Sequence, residues 1–90
     1  MDEQLLELRG IIRQKSLRTG DFILSSGKKS SYYLDCRMTT LDPRGALLIA
    51  RLILGRMREN DIKADAIGGL TMGADPIALA TAMHSFHQAR

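Results

Sequence analysis

The chain has 90 residues, 44% of them hydrophobic and 26% charged, with a formal net charge of +3. That balance excludes a disordered segment, and no apolar run approaches the roughly 20 residues of a membrane span. A single cysteine, Cys36, excludes an internal disulfide framework and fits a reducing cytoplasm, and the mild positive charge admits anionic ligands without demanding nucleic acid.

In chain order, residues 3–15 predict an amphipathic helix, because Leu5, Leu8, Ile11 and Ile12 share one stripe at helical spacing. Gly20-Asp21 is a turn signal. Phe22-Ile23-Leu24 and residues 32–36 read as two short strands around the polar loop SSGKKSS. The pair predicts a β-hairpin that presents Lys28 and Lys29 at its tip. Asp42-Pro43 starts a helix, with the carboxylate capping orphan N–H groups and proline at the first position. Ala46, Leu47, Ile49, Ala50, Leu52, Ile53 and Met57 give that helix an apolar stripe wide enough for burial on more than one side. ENDIKAD is a polar connection. AIGGL, residues 66–70, reads as a short strand without polar alternation, as in a parallel strand covered on both faces. Asp75-Pro76 opens a second helix, with Asp75 as its cap. Helix, hairpin, helix, strand, helix is an α/β order, and its later part suits an open sheet.

Two stretches carry candidate chemistry. GGLTMGADP, from Gly68, lies where a strand ends and a helix begins, the place where open α/β sheets bind ligands. Helix N-termini offer free N–H groups to phosphate, and glycines let the backbone approach an anion. The spacing matches neither G-x-x-x-x-G-K-[ST] nor G-x-G-x-x-G, so a packing turn and an anion cradle both stay open. SSGKKSSYY brings two lysines, four serines and two tyrosines into nine residues. Its amines and hydroxyls could bind phosphate or carboxylate, and a tyrosine ring could stack on a flat heterocycle. A solvated hairpin tip is the plainer account.

The remaining candidates are weaker. Asp35 and Arg37 alternate as an exposed ion pair, and Cys36 has no base partner and reads as a buried thiol. His84 and His87 are half a metal site at most, without a nearby third ligand.

In this order, GDFILSSGKKSSYYLDCR followed by AIGGLTMGADPIALATA resembles the orotate phosphoribosyltransferases, over about residues 17–82. The resemblance implies an N-terminal helix and hairpin hood (residues 1–40) followed by the start of a parallel-sheet phosphoribosyltransferase core (residues 41–90). It implies transfer of ribose 5-phosphate from phosphoribosyl pyrophosphate to orotate, with Mg²⁺ carried on substrate phosphates, in a cytoplasmic homodimer that binds neither nucleic acid nor membrane. Carried over by position, Ser25, Ser26, Gly27 and Lys28 form the hood loop near orotate and pyrophosphate, and Tyr32 and Tyr33 supply the aromatic position on the orotate ring. Thr71, Met72, Gly73 and Ala74 match the pyrophosphate loop. No residue is singled out as catalytic. Some family members carry lysine where Ser25 and Gly73 stand here, which leaves the charge to Lys28 or Lys29. The family's flexible basic loop and Asp-Asp motif have no counterpart in these 90 residues, so the chain is expected to be an incomplete enzyme, inactive alone. A non-catalytic nucleotide-binding module of the same fold is the alternative.

Overall fold

The computed structural model describes residues 2–88. Helix α1 (Glu3–Ile11) starts where the Asp2 carboxylate accepts the Gln4 N–H at 2.9 Å. It continues into a π-helical turn, Ile12–Ser16. The predicted stripe of Leu5, Leu8, Ile11 and Ile12 is partly covered, while Leu6 is exposed. On the same helix Glu7 takes a two-pronged hydrogen bond from Arg44, at 2.6 and 2.9 Å, which ties α1 to the helix that begins at Pro43.

Strands β1 (Leu17–Ile23) and β2 (Lys29–Leu34) form an antiparallel hairpin with Leu17 opposite Leu34 and Ile23 opposite Lys29. Between Thr19 and Phe22 the register slips, a bulge at the Gly20-Asp21 turn signal. The strands run longer than the sequence reading had them, and the loop is shorter. Lys29, expected at the tip, lies in β2, because ladder pairing extends through the polar flanks of the loop. The second strand ends at Leu34 and not at Cys36, and Arg37–Thr40 forms the short helix α2. Asp35 and Arg37 therefore flank a turn and do not alternate along a strand.

Helix α3 (Pro43–Glu59) begins as its sequence predicts, with Asp42 accepting the Gly45 N–H at 2.8 Å and proline at the start. It packs on α1, on α2 and above all on α4 (Asp75–Gln88). Leu48 and Ala50 are the fully buried apolar side chains among the described residues. Close by, Ser16 and Thr39 are buried and share a hydroxyl–hydroxyl hydrogen bond, which seats the hairpin's foot on α2. Gly45 is required there: a Cβ would come within 2.3 Å of the Thr39 carbonyl oxygen.

Residues 66–70 do not form the predicted strand. Among the described residues the sheet consists of β1 and β2, so this segment has no ladder partner. An apolar run becomes a strand only when another strand takes its N–H and C=O groups. The element order and packing otherwise agree with the α/β phosphoribosyltransferase expectation, over part of that fold. No helix of the described residues is long and apolar enough to cross a membrane.

The chain exposes 7039 Å², against the roughly 5,200 Å² expected for a compact protein of its mass. Its radius of gyration, 15.1 Å, likewise exceeds the roughly 12 Å of a compact domain this long. Much of the excess is apolar: Ile23, Leu41, Leu70, Met72, Leu79 and Phe86 are each more than half exposed.

Candidate functional site

The hairpin tip is built by two backbone bonds. The Gly27 N–H donates to the Leu24 carbonyl and the Leu24 N–H to the Lys28 carbonyl, both at 2.8 Å. Gly27 sits at φ +85°, a conformation that glycine alone adopts freely, and closes a turn of the kind that longer hairpin loops use. Ser25, Ser26 and Lys28 consequently project from a closed loop, all exposed. Below it the Ser30 hydroxyl donates to the Tyr32 carbonyl at 2.8 Å and also accepts the Tyr32 N–H at 3.3 Å. Tyr32 and Tyr33 are about half exposed, and the Tyr33 ring lies 5.9 Å from that of Phe22, tilted by 33°. Phe22 thus braces Tyr33 while leaving much of its ring open.

The glycine segment is a second exposed loop. A Cβ on Gly69 would fall 2.7 Å from the Ala74 methyl group, so this glycine lets the two ends of the loop close. Gly68 has open space on that side, and Gly73 has nothing nearer than the Thr71 carbonyl at 4.0 Å. Met72 takes a left-handed conformation, φ +47°, and its N–H donates to the Asp75 carboxylate at 3.2 Å. Asp75 is the first residue of α4 and reaches back to the loop. It does not cap the first-turn N–H groups of its own helix, as its place before Pro76 had suggested. The Ala74 N–H makes a long bond to the Thr71 carbonyl, 3.4 Å. Among the described residues, the N–H groups of Gly68, Gly69, Leu70, Thr71 and Gly73 have no protein acceptor. Gly69 is thus a packing glycine, whereas Gly68 and Gly73 leave bare main chain.

The structure gathers Ser25, Ser26, Gly27 and Lys28 in one loop, Tyr32 and Tyr33 beneath it, and Thr71, Met72, Gly73 and Ala74 in another. Among the described residues no hydrogen bond joins the two groups. Two cavities lie outside both groups. One of about 480 Å³ opens at the hairpin's foot, lined by Lys15, Asp35, Arg37, Met38, Leu41, Asp42 and Pro43. Another of about 120 Å³ separates α3, α4 and residues 64–67.

Electrostatics concentrate at the hairpin's foot. The Lys15 ammonium meets Asp42, and Arg37 meets Asp35 at 3.3 Å. The Lys15 hydrogen bond, seconded by the Gly45 N–H, holds the Asp42 carboxyl below its ordinary pKa. Arg44 does the same for Glu7, which raises Arg44 in turn. Sequence reasoning missed Lys15, for it lies 27 residues from Asp42 and carries no local signal. Cys36 is exposed and not buried as expected, because the chain turns outward between β2 and α2. His84 is partly covered and His87 exposed; no three His, Cys, Asp or Glu side chains cluster for a metal among the described residues.

Comparison with known proteins gives these loops a context. No protein-family model matches the chain. It is 44% identical over 89 residues to the orotate phosphoribosyltransferase of Thermosynechococcus vestitus, covering 94% of this chain and 46% of that protein. With the enzyme of the same name from Tropheryma whipplei it shares 52% over 75 residues, 82% of this chain and 34% of that one. Among solved structures, Mycobacterium tuberculosis orotate phosphoribosyltransferase in complex with inorganic phosphate superposes with a TM-score of 0.80 at 39% identity. That superposition covers 88% of this chain and 46% of the other. In sequence and fold the chain is similar to the N-terminal part of orotate phosphoribosyltransferases, and it spans less than half the length of these curated relatives.

Proposed function

We propose, taking homology to the N-terminal part of orotate phosphoribosyltransferases as the premise, that this chain supplies the orotate and pyrophosphate contacts of such a glycosyltransferase. The reaction is orotate plus phosphoribosyl pyrophosphate giving orotidine 5′-phosphate and pyrophosphate, a step of pyrimidine biosynthesis. The observation that carries the reading is the 44% identity to such an enzyme over 94% of the chain.

In this reading Tyr33, steadied by Phe22, offers its open ring to the flat pyrimidine, with Tyr32 beside it. Ser25, Ser26, Lys28 and the Gly27 backbone face the anionic groups. Thr71, Met72, Gly73 and Ala74 meet pyrophosphate through main-chain N–H groups, at the N-terminal end of α4 where the dipole is positive. Such donors stabilise charge that develops on the departing diphosphate. The chain contains no Asp-Asp pair, so contacts to the ribose and its 5′-phosphate fall to other polypeptide, and this chain alone does not turn over. In this reading Mg²⁺ arrives with substrate phosphates, in keeping with its habit of retaining water and phosphate ligands. The exposed apolar area is the surface that further core polypeptide and a second subunit cover in a cytoplasmic homodimer.

Gly73→Ala tests the cradle. Its Cβ would clash with nothing, the nearest atom being the Thr71 carbonyl oxygen at 4.0 Å, so stability should hold to within about 1 kcal/mol. Binding of pyrophosphate, followed by titration calorimetry, should weaken at least about tenfold, because the methyl group blocks approach to the main chain. Unchanged affinity would remove this loop from the site.

A further inference from the structure

We propose that the hairpin is an arm on a pivot, and that the Lys15–Asp42 and Ser16–Thr39 contacts at its foot set the angle between it and the helices. The inference concerns the arm's mechanics and goes beyond the reading of its tip as the orotate loop.

Every residue of β1 and β2 is partly or fully exposed, so neither face of the ribbon is clamped in a core. Beyond each other, the strands pack mainly on the π-helical turn from which β1 springs. The chain crosses the foot twice, each time at a boundary between elements: turn to strand at Ser16-Leu17, and strand to α2 between Leu34 and Arg37. Such boundaries are where hinge rotations are absorbed. The Asp35 N–H donates to the Ser16 carbonyl at 2.9 Å, so the returning strand is tied to the residue from which the outgoing one leaves. Two adjacent side chains lock this mount to the helices. The Lys15 ammonium donates to Asp42, and the Ser16 hydroxyl is bonded to that of Thr39. Their partners are themselves fixed. Thr39 is buried and its carbonyl accepts the Asp42 N–H at 3.1 Å, while the Asp42 carboxylate caps α3 through the Gly45 N–H. The cavity of about 480 Å³ beside the mount, with Lys15, Arg37 and Asp42 in its wall, leaves room for rotation. The lever is long, for β1 has seven residues. At about 3.3 Å each they span roughly 20 Å, so a turn of about 10° at the foot carries the tip about 3–4 Å. That is more than a hydrogen bond tolerates, so the placing of Ser26 and Lys28 is decided at the foot.

The test measures the arm directly and uses no ligand, so its failure leaves the orotate reading untouched. In a Cys36→Ser background, spin labels are attached through Ser26→Cys at the tip and Arg58→Cys, exposed near the end of α3. Their separation is read by double electron–electron resonance. The parent should give one narrow distance distribution. Lys15→Met with Thr39→Val removes both contacts at nearly constant volume. It should widen the distribution at least about twofold or move its centre by about 3 Å, while the ladder amides of β1 and β2 keep their NMR signals. Lys15→Met alone should give an intermediate width, and Thr39→Ser, which keeps the hydroxyl, should match the parent. A folded double variant with the parent's distribution would overturn the pivot. Loss of the ladder amides would overturn it too, since the contacts would then hold the hairpin together and not set its angle. If the double variant does not fold, Lys15→Met decides: that side chain is about half exposed, and an unchanged distribution there overturns the inference.

Discussion

Replacing Gly45 by alanine should unseat the hairpin from the helices. A Cβ at this position would lie 2.3 Å from the Thr39 carbonyl oxygen and 3.0 Å from its Cγ2. Ordinary carbon–oxygen contacts begin near 3.3 Å, so about 1 Å of movement is needed. Thr39 is poorly placed to give way: it is 2% exposed, its hydroxyl is bonded to the buried Ser16 hydroxyl, and its carbonyl already accepts the Asp42 N–H at 3.1 Å. Overpacking costs about 1–3 kcal/mol, and straining a buried hydrogen bond a further 1–3 or so. Alanine regains about 1 kcal/mol of helix propensity. The net loss is about 1–5 kcal/mol, which for a chain this short is a fall in Tm of at least roughly 5 °C. Circular dichroism melts of the variant beside Gly10→Ala and Gly55→Ala make the test. Those two helical glycines have nothing within 4 Å of a Cβ, so their variants should gain about 0.5–1 kcal/mol each. A Gly45→Ala protein melting at or above the parent would refute the close approach.

Leu48→Ala, which empties the one large apolar side chain wholly buried among the described residues, should cost about 2–5 kcal/mol; a loss under about 1 kcal/mol in urea titration would place the core elsewhere. Asp42 and Glu7 both have lowered carboxyl pKa values, through Lys15 and Arg44 in turn. The native state therefore binds fewer protons than the unfolded chain, so this stability is present above the ordinary carboxylate range and is lost as pH falls through about 4 and below. The Glu7→Gln, Asp42→Asn double variant should show a shallower acid limb of the urea midpoint, and an unaltered limb would assign acid sensitivity to other groups. Cys36, exposed between β2 and α2, should react with a thiol reagent in seconds to minutes without denaturant; labelling only after unfolding would bury it again.

The parts of the fold that were legible in the sequence are those whose signals are local. Asp42-Pro43 announces α3 because cap and proline act within one turn. The partly covered stripe of α1 and the hairpin are equally readable from spacing and from Gly27. The strand ends were misplaced because ladder pairing, not polarity, decides where a hairpin stops, and Ile23 opposite Lys29 is a cross-strand fact. Residues 66–70 show the same limit more sharply. Their apolar pattern is suited to a parallel strand, yet a strand is a property of two segments, and no second one reaches them among the described residues. Cys36 was misjudged for a related reason: residue type favours burial, but a turn at the end of β2 carries it outward.

The same distinction decides what the candidate site can be. Each loop is made by bonds within itself, Gly27 to Leu24 in one and Met72 to Asp75 in the other, so each keeps its shape without the other. What would bring them to one substrate is long-range packing, and there the chain is thinly supplied. Among the described residues two apolar side chains are fully buried, while Leu70 and Met72, inside the glycine loop, are 94% and 76% exposed. A hydrophobic side chain left that open on a loop otherwise built of small residues lacks an internal reason; a surface that covers it from outside supplies one. Under the proposed function, the two loops hold their own shapes, and a cleft shared by both would require packing that these two loops do not themselves supply.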